Sequence, residues 1–304
     1  MNKPLAFVSA FLTCAFFFLP FAFAPFGLLA QTAAPPATEI FLAPLNWSNS
    51  SVAIGAPVNI TNNPGYDNQP SFLPDSSAVL FASNRDGKQN DIYRYDVATK
   101  QLVQLTKTEE NEYSPLVALD GKSFLCVHGT EQSIFRYDMD GSHPRLAYKH
   151  GDALIGYHVW TTPTEFAAFI LTTATAPQSL QVINTATGKG EVIETNTGRS
   201  LLHRIGHNTI SFVSKTDPAK WVIKEFDITT HAVSAITETV PKSEDLTWLP
   251  DGRILMASGS KLFAWQAGTA GWAEIADLTA AGVKRITRMA ASRDGKYLAL
   301  VGEP

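Results

Sequence analysis

The chain has 304 residues, with 24 Lys+Arg against 28 Asp+Glu, a formal net charge of −4. An apolar content of 45% excludes a disordered chain, and the mildly acidic balance argues against nucleic acid as a partner. Two cysteines exclude a disulfide-framework fold.

Residues 1–30 hold a single charged side chain, Lys3, followed by an apolar run from Leu5 to about Phe23 and a small residue at Ala30. This is the pattern of an export signal cleaved after Ala30, which places the protein in the periplasm or outside the cell. Retention of the run as a membrane anchor is the alternative. Residues 31–38 form a short flexible spacer, and no later apolar stretch is long enough to span a bilayer. After cleavage the only cysteine is Cys126, in a predicted strand, where it reads as a small buried apolar residue.

From residue 39 to 304 the chain is a repeat. The turn Leu73-Pro74-Asp75-Ser76 precedes the apolar run Ala78-Val79-Leu80-Phe81, and the pattern returns around residues 120, 164, 207, 251 and 294. The spacings are 45, 44, 43, 44 and 43 residues. The first copy predicts strands over 69–73, 78–83, 91–97 and 101–105, joined by turns rich in Asp, Gly and Asn. Four strands every 40–45 residues is the period of a β-propeller blade. The predicted fold is therefore all-β, a six-bladed β-propeller of four-stranded antiparallel blades. The last copy ends two strands short, after Tyr297–Val301. The missing pair stands at the other end: Thr38–Leu42 is like Asn90–Arg94, and Ala56–Thr61 is like Lys100–Thr106. These N-terminal strands should complete the last blade and close the ring, which removes the open sheet edges.

The stretches Gln69-Pro70-Ser71-Phe72-Leu73-Pro74-Asp75, Ser83-Asn84-Arg85-Asp86-Gly87, Asp91-Ile92-Tyr93-Arg94-Tyr95-Asp96 and Gln104-Leu105-Thr106 resemble the TolB-like (WD40-like) propeller repeat. The second copy carries it through Ser114-Pro115 and Ile134-Phe135-Arg136-Tyr137-Asp138. The likeness is partial in copies five and six and faint in three and four. The α/β domain that precedes the propeller in TolB has no counterpart in the sequence. The resemblance implies a binding or interaction module of the cell envelope.

Motifs of catalysis are few. Gly198-Arg199-Ser200-Leu201-Leu202 lacks the second glycine of a nucleophile elbow, and no His-Glu-x-x-His or phosphate-binding glycine loop occurs. In a propeller the first strand of each blade lines the central channel. Six residues before each turn stand Gln69, Ser114, His158, Leu201, Asp245 and Arg288. One residue earlier are Asn68, Tyr113, Tyr157, Ser200, Glu244 and Thr287, and one earlier again Asp67, Glu112 and Arg199. Glu112, His158, Glu244, Asp245 and Arg288 are the candidate ligand-binding residues at the channel mouth, the carboxylates for a divalent cation or polar groups and Arg288 for an anion. Trp160 and Trp248, at the ends of first strands, read as inter-blade packing, with stacking on a sugar or peptide as the alternative.

The expected function is an exported monomeric propeller that binds an envelope protein, peptide or glycan, with no catalytic residue assigned. The alternative is a channel enzyme of the lactonase, dehydrogenase or polysaccharide lyase kind.

Overall fold

The computed structural model describes residues 1, 37–48, 51–173 and 176–303. Residues 2–36, which hold nearly all of the predicted export segment and spacer, lie outside the described residues. From Glu39 onward the chain forms six antiparallel sheets arranged as the blades of a closed ring. Blade 1 is Asp67–Phe72, Ala78–Ser83, Asp91–Asp96 and Leu102–Gln104, within two residues of the predicted strands. The innermost strands of blades 2 to 6 are Glu112–Val117, Ile155–Thr162, Leu202–His203, Leu246–Trp248 and Arg285–Ala291.

The second strand of each blade lies between two neighbouring sheets, so both of its faces are covered. In blade 1 every residue of Ala78–Ser83 is buried, which is why this run is almost continuously apolar instead of alternating. Among the described residues the buried apolar side chains fall into six clusters, one at each seam between blades. Stacking of this kind leaves little surface for charge, which explains the low charged fraction of the chain.

The ring closes as the repeat predicts. Glu39–Ser48 pairs with Tyr297–Glu303 in unbroken antiparallel register from Glu39↔Gly302 to Pro44↔Tyr297. Val58–Asn59 adds outside it through Phe41↔Asn59 and Leu42↔Val58. One element has no counterpart in the other blades. The closing strand runs on past Pro44 and pairs with Ser51–Ile54, and the Trp47 indole donates to the Gly295 carbonyl at 2.9 Å.

The threonine that ends the repeat motif has a structural task. Thr106 Oγ1 accepts the Ile92 amide at 2.8 Å and donates to the Glu112 carboxylate. Thr61 does the same in the closing blade, accepting from the Ile40 amide at 2.9 Å and donating to Glu39 at 2.6 Å. A hydroxyl that both accepts and donates ties the edge strand to a buried acid with no polar atom left over.

Candidate functional site

The innermost strands do not run straight. In blade 1 pairing breaks between Asn68 and Ser71, and in blade 2 between Tyr113 and Leu116. Gln69 and Ser114 take φ of 59° and 52° at these bulges. Each is followed by a proline, which has no N–H to lose from the ladder. The bulges aim Gln69 and Ser114 at the axis. There Gln69 Oε1 accepts the Ser114 amide at 2.8 Å, linking the two blades.

All six residues at the equivalent position, Gln69, Ser114, His158, Leu201, Asp245 and Arg288, line one central cavity of about 100 Å³. Tyr157 and Arg199 line it with them. The polar groups form a chain across the channel. Tyr157 Oη accepts from Gln69 Nε2 at 3.2 Å and from Arg288 Nη2. The Arg288 guanidinium lies over the Tyr157 ring, 4.8 Å from its centroid. Its Nη1 is 3.7 Å from Asp245 Oδ1, and Arg199 Nη2 donates to the other oxygen at 2.7 Å. Beyond Arg199, Glu244 stands 3.5 Å from its Nε and is ion-paired with Lys215. Burial works against the charge of Arg199, but the Asp245 and Glu244 carboxylates outweigh it and raise its pKa. Burial likewise opposes ionisation of Glu244, yet Lys215 and Arg199 hold it below the ordinary value.

His158 sits in the channel wall, 1% exposed, and neither ring nitrogen has a hydrogen-bond partner among the described residues. Burial pushes its pKa down to about 4, so the imidazole is neutral at physiological pH.

The five candidates thus separate. Asp245, Arg288 and His158 line the cavity, and Glu244 stands at its mouth. Glu112 lies elsewhere: it is fully buried, and its carboxylate accepts from Thr106 and Tyr137, a member of the cluster between blades 1 and 2. Its counterpart in blade 1, Asp67, is equally buried. Two residues before the bulge, the side chain turns into the seam and not toward the axis. Gln69, Tyr157 and Arg199 carry the channel chemistry without having been singled out, although all three stood in the counted positions.

A divalent cation does not fit these residues. Both channel carboxylates are committed to Arg199, Arg288 and Lys215, and among the described residues no three His, Cys, Asp or Glu side chains come together as metal ligands. Trp160 and Trp248 are packing residues. Trp248 is 3% exposed and donates to Ser211 Oγ at 2.8 Å, and Trp160 stacks on Phe166 with 4.8 Å between centroids. Cys126 is fully buried.

The molecule is a closed six-bladed β-propeller with a cationic, hydrogen-bonding channel. No family model and no curated protein sequence matches it. Among solved structures it is similar to the putative TolB of Agrobacterium tumefaciens, with a TM-score of 0.64 and 14% identity over 88% of this chain and 100% of that one. It is similar to TolB of Acinetobacter baumannii, with a TM-score of 0.55 and 14% identity over 90% of this chain, and it spans 66% of that protein's length. An oligogalacturonate lyase of Vibrio parahaemolyticus gives a TM-score of 0.53 and 13% identity over 88% of this chain and 99% of that one. The fold is TolB-like.

Proposed function

We propose that the protein is an exported binding module of the cell envelope, a monomer whose central channel receives a group from a protein, peptide or glycan. The observation that supports this is the central donor set. Arg199, Arg288 and Tyr157 converge on one cavity that crosses the axis, and they are held there by side chains from neighbouring blades. Such preorganisation lowers the ordering cost of binding. The reading as a channel enzyme has less support. A hydrolase or lyase needs free acid–base groups around one reacting centre, whereas Asp245 and Glu244 are neutralised by cations and His158 is buried and neutral.

The test is a thermal-shift screen of short peptides and oligosaccharides against the wild type and an Arg288→Gln variant. Ligands that raise the wild-type melting temperature and lose that effect in the variant support channel binding. Shifts that survive the substitution unchanged count against it.

A further inference from the structure

The ligand's chemistry can be narrowed, on the basis of the channel-binding reading above. Three cavities follow one another along the axis. The central one shares Arg199, Asp245 and Arg288 with the mouth rimmed by the loops between blades. It shares Pro70, Leu116 and Leu202 with the mouth rimmed by the first hairpin turns. Both mouths are net cationic, and they differ in how much apolar wall they carry. The inter-blade mouth, about 520 Å³, has four cations, Arg199, Lys242, Arg285 and Arg288, against two carboxylates, Glu244 and Asp245. That is a local charge of +2 in a chain whose formal net charge is −4. Counting the ion-pair partners Lys215 and Glu303 leaves it unchanged. The hairpin mouth, about 500 Å³, has an apolar wall of Phe72, Leu202, Ile205 and Met289 and two cations, Arg204 and Arg293, and no carboxylate lines it.

Around Asp245 and Arg288 the unspent hydrogen-bonding capacity belongs to donors, while His158, neutral in the wall, keeps one donor and one acceptor nitrogen. Tyr157 Oη already accepts from Gln69 and Arg288, so its own proton has no acceptor among the described residues. Arg288 Nε is buried without a partner among the described residues. Both oxygens of Asp245 face guanidinium groups. A group that enters must bring acceptors, and a charged acceptor gains most, because charge-assisted hydrogen bonds are about twice as strong as neutral ones. A sugar chain brings donors and acceptors in equal measure, and at the hairpin mouth the hydroxyls that meet Phe72, Leu202 and Ile205 would lose water without a partner.

We propose that the channel binds the C-terminal end of a polypeptide, entering through the hairpin mouth. Its terminal carboxylate lies between Arg288, Arg199 and the Tyr157 hydroxyl. The last apolar side chains rest against Phe72, Leu202 and Ile205.

The test uses the purified exported protein and fluorescein-labelled hexapeptides whose last three positions vary among Ala, Val, Leu, Phe and Met. The library is made once as free acids and once as C-terminal amides, and labelled oligogalacturonate serves as an acidic glycan. The free acids should bind at least about tenfold more tightly than the amides. Arg288→Gln should remove that difference. Tyr157→Phe, which keeps the ring and so the packing, should reduce it, with melting temperatures reporting that both variants fold. Equal binding of acid and amide overturns the carboxylate assignment while channel binding stands. Binding of oligogalacturonate that depends on Arg288, without peptide binding, overturns the peptide assignment while channel binding stands. No binding by any probe, or binding indifferent to Arg288→Gln, overturns the inference and the channel reading together.

Discussion

Arg199, just ahead of the innermost strand of blade 4, donates through Nε and Nη2 to a single oxygen of Asp245 in blade 5, at 3.2 and 2.7 Å. The same Nη2 reaches the Thr287 carbonyl of blade 6 at 3.0 Å, so one side chain joins three blades at the axis. Asp245 is also the counter-charge of Arg288. Loss of its charge leaves two guanidinium groups facing each other across a confined cavity. Asp245→Asn should destabilise the fold by about 1–3 kcal/mol. A double-mutant cycle with Arg199→Gln, read by urea denaturation, should give a coupling of about 1–2 kcal/mol. Additive effects of the two substitutions would mean that the pair contributes nothing beyond its separate members.

The two Asp-Gly turns of blade 2 are not equivalent in their tolerance. Gly121 has φ of +66° and open space where a Cβ would stand. Gly141 has φ of +84°, and a Cβ there would lie 1.8 Å from the Leu105 carbonyl oxygen of blade 1. Gly121→Ala should therefore cost only the left-handed backbone term, about 1 kcal/mol. Gly141→Ala adds a backbone collision at the seam and should cost at least about 2 kcal/mol more. Equal denaturation midpoints for the two variants would show that the blade 1–blade 2 contact yields freely.

The ring and its closure were legible because they rest on turn residues at a fixed period, and turns such as Asp120-Gly121 and Asp294-Gly295 announce themselves through local backbone needs. The count from those turns also reached the axis, since each first strand begins at a similar distance before its turn. It failed to separate Glu112 from Asp245 because a strand offers alternate residues to opposite faces, and a bulge at Ser114 changes which face is which. Arg199 and Tyr157 matter through partners 46 and 131 residues away, Asp245 and Arg288, and no local pattern encodes such pairs. The hairpin that packs Trp47 on Gly295 was illegible for a simpler reason: no other blade has it, so the repeat gave no template.

Closure of the ring by the N-terminal strand should dominate stability. Ile40 is fully buried at the heart of the closing strand, paired with Val301 and packed in the cluster between blades 6 and 1. Ile40→Ala should cost about 2–4 kcal/mol, whereas Val58→Ala, at a position 62% exposed on the outermost strand, should stay within about 0.5 kcal/mol. A small effect at Ile40 in chemical denaturation would mean that the ring holds without its clasp.

Buried ionisable groups give stability a pH dependence whose sign can be worked out. Burial pushes the Glu112 carboxyl up to about 7, against hydrogen bonds from Thr106 and Tyr137 that favour the charged form. Burial raises Asp67, its counterpart in blade 1, to about 6. Between the ordinary carboxylate range and these values the folded chain holds protons that the unfolded chain has released, so stability falls as pH rises through the window. His158 acts in the opposite sense. With its pKa pushed down to about 4, the folded state gives up a proton that the unfolded imidazole keeps, and stability is lost as pH falls from about 6.5 toward 4. Glu112→Gln imitates the protonated acid. Urea midpoints measured from pH 5 to 8.5 should show wild type and variant close together at pH 5. The variant should then gain with rising pH, by on the order of 2 kcal/mol at pH 8. His158→Gln should leave that difference intact while flattening the acid side. Parallel curves for wild type and Glu112→Gln would show that the Glu112 carboxyl titrates as it would in water, and that its partners in the seam are enough to keep it charged.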